Sequence, residues 1–335
     1  MIFAATGTWK SPVRAIGSLR NRYLILCVPF VEGPTMSVAT TRRGASPEAI
    51  RQHYDVANAF YELWLDPTMC YSCALWEDDE PDSMLEQAQL RKLDYHALQA
   101  GAKGAERILD VGCGWGALVR RLVETHGVGH ATGLTLSTAQ AEWSEERPDP
   151  RVDIRIESWL DHQPDSPYDG VISVGAFEHF AKAEWPDSQR IAAYREFFKK
   201  CHQWLKPSGR LSLQTIAYAN VDVEHVQEQA DTQFFFKEIF PESVLPTLAD
   251  IIAASDGLFE VVNLRNDREQ YFRTCQIWYR KLIACKADAL KIVDMDTYNR
   301  FVRYLKLSSF VFGSEYAGLL RIGFRRWNEP RKQID

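Results

Sequence analysis

The sequence predicts an α/β fold built on a parallel sheet with helices on both faces. From Ser46 onward, short apolar runs typical of strands alternate with longer segments whose apolar residues recur at helical spacing. Such repeated strand–helix units are typical of a doubly wound sheet. The stretch ILDVGCGWG, from Ile108 to Gly116, adds a second observation, because an apolar strand there breaks into three glycines. Ligands of these sheets bind at the carboxyl ends of the strands, so this turn is a candidate binding site.

The individual elements follow from local patterns. The helix after the glycine turn ends at Gly127, and the next helix begins at Ser137, a residue type that caps helix N-termini. Residues 151–157 alternate apolar and polar side chains, as a half-buried strand does, and the turn KPSG precedes another strand. The predicted strands are 106–112, 130–136, 151–157, 168–175, 210–216 and 316–324. The predicted helices are 117–127, 137–147, 191–205 and 289–305, together with a mostly helical stretch at 219–257.

Composition places the chain among ordinary globular proteins. Of its 335 residues, 46% are hydrophobic and 25% are charged, and the net charge of -6 gives no general attraction to nucleic acid. No run reaches the roughly 18 apolar residues of a transmembrane segment. The seven cysteines lack disulfide-like spacing and no signal peptide is evident, so we expect a cytoplasmic protein. Residues 1–45 are predicted to be a flexible N-terminal extension, and residues 46–335 a single domain.

The glycine turn suits a ligand that lies against bare backbone. Gly112, Gly114 and Gly116 follow the strand directly, and glycine permits both a tight turn and the close approach of a ligand. A dinucleotide site would need an acidic residue at the end of the second strand, roughly 20 residues further on. That strand ends in GLTLS, without a carboxylate, so NAD is disfavoured.

Four blocks in order carry a resemblance to a known family. They are HYDVANAFYELWLDPTMCYSCALW, DVGCGWG, GLTLSTAQ and GAFEHF, and the later KEIFPESVLP and QYFRTCQIW extend the match to about residues 50–328. Together they resemble the cyclopropane-fatty-acid and mycolic-acid cyclopropane synthases, which are S-adenosylmethionine-dependent methyltransferases. The resemblance implies a Rossmann-like, seven-stranded methyltransferase sheet, a helical excursion at 219–257 that caps the substrate, and S-adenosylmethionine as methyl donor.

The resemblance also implies a cofactor site. A sulfonium donor has an amino acid end that needs hydrogen bonds and a flat adenine that needs an apolar or aromatic wall. The family usually has an acidic residue after the tryptophan beside the adenine, whereas this chain has Leu160, so adenine recognition can shift to Asp161. The matching positions are Tyr71, Ser72, Asp110, Gly112, Gly114, Thr135, Leu136, Gln140 and Trp159.

The chemistry that the resemblance implies is methyl addition to a carbon–carbon double bond. The resulting carbocation loses a proton to give a cyclopropane or a methylated alkene, which requires a dry apolar tunnel and one base. In the family a bound bicarbonate is taken to be that base. The residues that match its binding positions are Cys73, Glu178 and Tyr271, while Gln214 stands where the family usually has a histidine.

The glutamine leaves two interpretations of the base open. A neutral amide can still donate a hydrogen bond to bicarbonate, although it carries no charge. Alternatively, Glu178 acts as the base by itself, because a carboxylate in an apolar tunnel has a raised pKa that suits proton abstraction near neutral pH.

The function therefore has one main prediction and several alternatives. The substrate is predicted to be a hydrophobic small molecule or a carrier-bound alkene, on an acyl, isoprenoid or other natural-product chain. The alternatives are an N- or O-methyltransferase of a small metabolite, a prenyl diphosphate C-methyltransferase, or a cofactor-binding relative without catalysis. The single CxxC pair, Cys70 and Cys73, is weak evidence for zinc or redox chemistry, so we predict no metal site.

Overall fold

The computed structural model describes residues 44–54, 56–219, 221, 233–234 and 238–329, with the side chains of 52–54 excepted. All described residues belong to one compact unit, Thr41–Asp335. Of the predicted N-terminal extension, only residues 44 and 45 are among them. The rest of that extension lies outside the described residues, so its flexibility stays a prediction.

Helices and strands alternate through most of the described chain. The helices are α1 Pro47–Tyr54, α2 Asn58–Glu62, α3 Leu85–Gln99, α4 Ala117–Thr125, α5 Thr138–Glu145, α6 Asp187–Trp204, α7 Leu248–Ser255, α8 Arg268–Ala284, α9 Lys286–Ala289 and α10 Met295–Gly313. The strands are β1 Arg107–Val111, β2 His130–Thr135, β3 Val152–Ile156, β4 Tyr168–Val174, β5 Leu205–Tyr218, β6 Phe259–Asn266 and β7 Ala317–Arg326. Short 3₁₀ turns lie at Asp82–Met84 and Phe177–His179.

The strands form one seven-stranded sheet in the order β3-β2-β1-β4-β5-β7-β6. The five strands from β3 to β5 pair in parallel, and β7 pairs antiparallel with both β5 and β6. The predicted α/β class and seven-stranded sheet are therefore confirmed, whereas the expectation of an all-parallel sheet is corrected at β7. In the pairing of β5 with β7, Gln214 lies directly opposite Arg321.

The alternating side chains of β1 pack into cores on both faces of the sheet. Ile108 belongs to a core that includes Leu118 and Leu122 of α4, while Leu109 belongs to another that includes Phe197 and Phe198 of α6. Residues adjacent in a strand point to opposite faces, so both faces of the sheet are covered, as in a doubly wound fold. A third, aromatic core joins α2, α8 and α10.

Several predicted boundaries shift in the structure. The helix predicted at 289–305 begins at Met295, where the Asp294 side chain accepts a hydrogen bond from the Thr297 backbone N–H. The KPSG turn falls within the irregular start of β5, and Ser208 there has a φ of 61°. Strand β6 was not predicted, because most of it is exposed at the sheet edge and lacks alternation. In the part of the chain that the structure describes, no helix has the length and apolar character required to cross a membrane.

Candidate active site

The glycine turn joins β1 to α4 and leaves open space above the strand ends. Gly112 has a φ of 83°, and a Cβ placed there would lie 2.4 Å from the Cβ of Ala176. Gly114 has a φ of 55°, and a Cβ there would meet no heavy atom within 4 Å. The first glycine is required by close packing and by its backbone conformation. The second leaves bare backbone beside empty space, as a bound ligand would need.

The end of β2 brings the predicted residues Thr135 and Gln140 together. The Thr135 hydroxyl donates to Gln140 Oε1 at 2.8 Å, and both side chains are buried. Ser137 caps α5 as predicted, since its hydroxyl accepts from the Gln140 backbone N–H at 3.2 Å. The Leu136 carbonyl accepts from Arg51 Nε at 3.3 Å, so α1 contacts this end of the sheet.

The loop that carries Tyr71, Ser72 and Cys73 is held by α3. Gln89 Nε2 donates to the carbonyls of Cys70 and Ser72 at 3.3 and 2.9 Å, and Lys92 Nζ donates to the Ser72 hydroxyl at 2.8 Å. The Tyr71 ring contacts the rings of Trp64 and Trp278, with centroids 5.2 and 5.4 Å apart. This aromatic packing and these hydrogen bonds fix the loop beside the carboxyl ends of the strands.

A large apolar cavity adjoins this loop. Its empty volume is about 1410 Å³, part of which is open to solvent. Aromatic and aliphatic side chains of β5, α8, α10 and the segment 240–245 form most of its wall. Five residues singled out from the sequence line it, namely Tyr71, Ser72, Glu178, Gln214 and Tyr271. The structure thus brings residues that are up to 200 positions apart, from Tyr71 to Tyr271, to one cavity.

Glu178 is the carboxyl group in the wall of this cavity. It lies in the 3₁₀ turn after β4 and is 6% exposed, and its Oε1 accepts from the Ile216 backbone N–H at 2.6 Å. Its Oε2 is buried and has no hydrogen-bond partner among the described residues. Desolvation raises the pKa of Glu178 to about 7, although the backbone N–H groups of Ile216 and of Glu178 itself and the Thr215 hydroxyl oppose that shift. Oε1 is therefore fixed by the backbone of β5, whereas Oε2 accepts no hydrogen bond from the described residues.

Gln214 is oriented by a buried network behind the cavity wall. Its Oε1 accepts from Arg321 Nε at 2.8 Å and lies 3.2 Å from His96 Nε2. Burial lowers the pKa of His96 well below its usual value, so the ring is neutral. Since its Nδ1 lies 2.8 Å from the Ser212 hydroxyl, which can donate, Nε2 is the nitrogen that donates to Gln214. The amide oxygen is saturated by these two donors, which leaves the amide N–H groups for the cavity.

Arg321 was not identified from the sequence, although a single arginine in the apolar run YAGLLRIGF was a possible signal. Its side chain is fully buried and forms an ion pair with Asp267. Through Nη2 it also donates to the carbonyls of Cys73 and Ala74, each at 3.1 Å. Arg321 therefore connects the cysteine loop, β5 and β7 behind the cavity.

Of the other predicted catalytic residues, Cys73 is buried beside the cavity and Tyr271 is buried in its wall. The Cys73 thiol is fully buried, which raises its pKa to about 12, and Cys73 is not itself part of the cavity wall. Tyr271 stacks on Phe312 with ring centroids 4.4 Å apart, and burial raises its pKa well above the usual value. His179 also lines the cavity, with a pKa lowered by burial to about 4. The thiol and the phenol are therefore protonated at neutral pH, and the imidazole is uncharged.

The remaining predicted residues lie outside the cavity wall. Asp110 is 2% exposed at the end of β1, its Oδ1 has no partner among the described residues, and desolvation raises its pKa to about 7. Trp159 packs between Phe180 and Phe197, with ring centroids 4.9 and 5.5 Å from its own, and Asp161 is exposed. In the described ranges no group of three or more His, Cys, Asp or Glu residues is arranged to hold a metal ion.

Known sequences and structures resemble this chain over most of its length. The sequence model of the mycolic acid cyclopropane synthetase family matches residues 41–322. Cyclopropane mycolic acid synthase 2 of Mycobacterium leprae (strain TN) is 34% identical over 297 residues, which cover 83% of this chain and 94% of that protein. The solved structure of mycolic acid cyclopropane synthase CmaA1 complexed with SAH and CTAB matches with a TM-score of 0.75 and 28% identity, over 84% of this chain and 99% of that chain. The cyclopropane synthase MmaA2 from Mycobacterium tuberculosis matches with a TM-score of 0.74 and 28% identity, with the same coverage of both chains.

Proposed function

The chain belongs to the mycolic acid cyclopropane synthetase family, and from this premise we propose that Glu178 is the base in an S-adenosylmethionine-dependent methylation of a lipid alkene. The observation that carries this proposal is the unpaired Oε2 of Glu178, a residue that lines an apolar cavity. A general base needs a free oxygen and a pKa near the working pH, and Glu178 has both.

The residues around the glycine turn fit the donor. Gly114 leaves bare backbone beside open space, while Ser72 and Tyr71 bring a hydroxyl and an aromatic ring to the adjoining cavity. We assign the donor to these residues together with Asp110, Gly112, Thr135, Leu136, Gln140 and Trp159. When bound, S-adenosylmethionine supplies an electrophilic methyl group.

The apolar cavity wall keeps water away from the positive charge that methylation leaves on the substrate. An alkene that gains a methyl group becomes a carbocation, and water would trap it, so the apolar wall must exclude water. Glu178 Oε2 accepts the proton that leaves the carbocation, and the Ile216 N–H stabilises the carboxylate through Oε1. Loss of the proton from the new methyl group closes a cyclopropane, and loss from a neighbouring carbon gives a methylated alkene.

The lack of lysine and arginine in the described cavity wall favours an acyl chain as substrate. None of the described residues that line the cavity is lysine or arginine, and His179 is neutral. A prenyl diphosphate would need such cations or a bound metal ion for its phosphates, and no group of three or more His, Cys, Asp or Glu residues in the described chain is arranged to hold a metal ion. The aromatic and aliphatic wall suits a hydrocarbon chain instead.

Presentation of the substrate and the cellular setting are further parts of the proposal. We infer a soluble or carrier-bound alkene, and a cytoplasmic protein, which agrees with the free state of all six cysteines in the described residues.

We also propose that the stretch 219–257 caps the substrate, since Phe240, Ser243, Val244 and Leu245 from this stretch line the cavity. Of the described part of that stretch, α7 is helical and residues 243–247 are extended or irregular.

Product analysis tests the proposed function. The protein is incubated with S-adenosylmethionine and unsaturated acyl substrates, free and carrier-bound, and parallel reactions contain a prenyl diphosphate or a small amine. We expect an acyl product that has gained one CH₂ unit, with formation of an equal amount of S-adenosylhomocysteine. Methylation of the amine or the diphosphate, and none of the acyl chain, would contradict the proposal.

A further inference from the structure

Lys92 of α3 is a buried lysine beside the predicted cofactor site. It is 1% exposed, and its Nζ donates to the Ser72 hydroxyl at 2.8 Å. It also lies beside the Cys70 thiol, which burial keeps protonated by raising its pKa to about 11. No ion pair within the described chain includes Lys92. A buried ammonium group without a counter-charge is costly, and natural proteins usually pair such a group.

The two buried carboxyl groups nearby, Asp66 and Asp110, do not form an ion pair with Lys92. Both oxygens of Asp66 already accept hydrogen bonds, Oδ2 from Thr68 and Oδ1 from the Cys70 backbone N–H. Lys92 lowers the pKa of Asp66 and of Asp110, but desolvation outweighs it and raises both values above normal. Both carboxyl groups are thus within electrostatic reach of Lys92, but neither forms an ion pair with it in the described protein.

Ser72 connects Lys92 to the cavity. A serine hydroxyl has two acceptor lone pairs and one donor hydrogen, and Lys92 uses one of the lone pairs. The hydroxyl hydrogen has no acceptor among the described residues, and Ser72 lines the cavity. The Ser72 carbonyl is held by Gln89, so the residue cannot readily turn away. The ammonium group thus polarises a hydroxyl donor that is available to a ligand in the cavity.

We propose that Lys92, acting through the Ser72 hydroxyl, provides the counter-charge for the α-carboxylate of the S-adenosylmethionine amino acid end. This inference rests on the proposed function, because it requires the donor to bind at Ser72. The order of groups is Lys92 ammonium, Ser72 hydroxyl, ligand carboxylate, with each group donating a hydrogen bond to the next. Lys92 is accordingly a positioning residue, and its effect depends on the carboxylate rather than on the adenosine.

Binding of paired ligands tests this dependence. Titration calorimetry compares S-adenosylhomocysteine with its decarboxylated analogue, for the wild type and for Lys92→Met. We expect the substitution to weaken S-adenosylhomocysteine roughly ten- to a hundredfold, as for loss of a hydrogen bond to a charged group, and to change the analogue less than about threefold. Lys92→Arg keeps the charge and should recover part of the lost affinity. In a Ser72→Ala background, Lys92→Met should have little further effect, because the connecting hydroxyl is gone.

Gln89→Met is the matched structural control. Gln89 lies on the same helix, is fully buried and holds the same loop through two carbonyls, but it carries no charge. Its substitution should weaken both ligands to a similar extent. If Lys92→Met also weakened both ligands in parallel, the counter-charge role would be wrong and Lys92 would be a loop anchor only. If the wild type bound neither ligand, the proposed function itself would fail, which is a different result.

Discussion

Arg321 Nε donates a hydrogen bond to Gln214 Oε1 at 2.8 Å, between two residues that lie directly opposite each other in β7 and β5. The cavity wall thus has the neutral Gln214 amide, while the positive charge of Arg321 lies on the neighbouring strand β7, outside the wall. Asp267 pairs with that charge through Nη1, and the Cys73 and Ala74 carbonyls accept from Nη2. The arginine therefore orients the amide and the cysteine loop without itself being part of the cavity wall.

The first prediction concerns the stability of this network. Arg321→Met should lower the free energy of unfolding by about 3–5 kcal/mol, because it removes the fully buried partner of Asp267 Oδ2 and leaves that carboxylate only the partly exposed Arg265 at Oδ1. The double variant Arg321→Met, Asp267→Asn should lose less than the single variant, since no buried charge then remains unpaired and Arg265, which also pairs with Asp267, is partly exposed to solvent. Urea unfolding of the wild type and the variants measures both values. Equal or larger loss in the double variant would show that the ion pair is not what makes Arg321 important.

The second prediction concerns turnover. Glu178→Gln should lower kcat about 10²–10⁴-fold, the usual contribution of a general base, and leave the affinity for S-adenosylhomocysteine nearly unchanged. Glu184→Gln is the matched control, because Glu184 is exposed and lies six residues further along the chain. Retention of most of the turnover in Glu178→Gln would mean that another group accepts the proton.

Much of the fold was predictable because it depends on local patterns. The β1 strand, its glycine turn and the Ser137 cap are each encoded within about ten residues, and the structure has all three. Strand β6 was missed, since an exposed edge strand needs few buried side chains and its alternation is weak. The reversal of β7 was also missed, because the direction of a strand depends on the path of the chain between strands.

Some residues of the candidate site are likewise recognisable from the sequence, whereas others are identified only from tertiary contacts. Glu178 and Gln214 stand in recognisable blocks or at a position where the family differs, so the sequence singles them out. Arg321 and Lys92 act on the site only after the strands pair and α3 packs against the cysteine loop. In sequence they are an isolated arginine and a lysine within a helix, and nothing local predicts that they are buried.

The third prediction is a pH dependence of stability. Burial raises the pKa of Glu178 from 4.5 to about 7, so the native state binds a proton there that the unfolded state has released. Stability is therefore lost as the pH rises between these values, by up to about 3 kcal/mol from this group. Glu178→Gln should equal the wild type in stability near pH 4 and exceed it increasingly up to about pH 8. Chemical denaturation across this range measures the difference, and a constant difference would contradict the raised pKa.

The last prediction concerns bicarbonate. An anion beside Glu178 would need a positive charge, but the described cavity wall contains no lysine or arginine, His179 is neutral, and the Arg321 guanidinium is already paired with Asp267. A neutral Gln214 amide alone lacks the charge-assisted part of the interaction, on the order of 1 kcal/mol. We therefore expect turnover to be the same in bicarbonate-depleted and bicarbonate-supplemented buffer.

Gln214→His extends this test, because it restores the residue type that the resembled family usually has. The ring would replace the amide oxygen that accepts from Arg321, and it would add a second ionisable group close to the guanidinium and to the carbocation. We expect lower turnover in this variant at every bicarbonate concentration. Turnover is measured for the wild type and the variant with and without added bicarbonate. A strong requirement in the wild type, or a gain by the variant only when bicarbonate is present, would show that the ion rather than Glu178 accepts the proton.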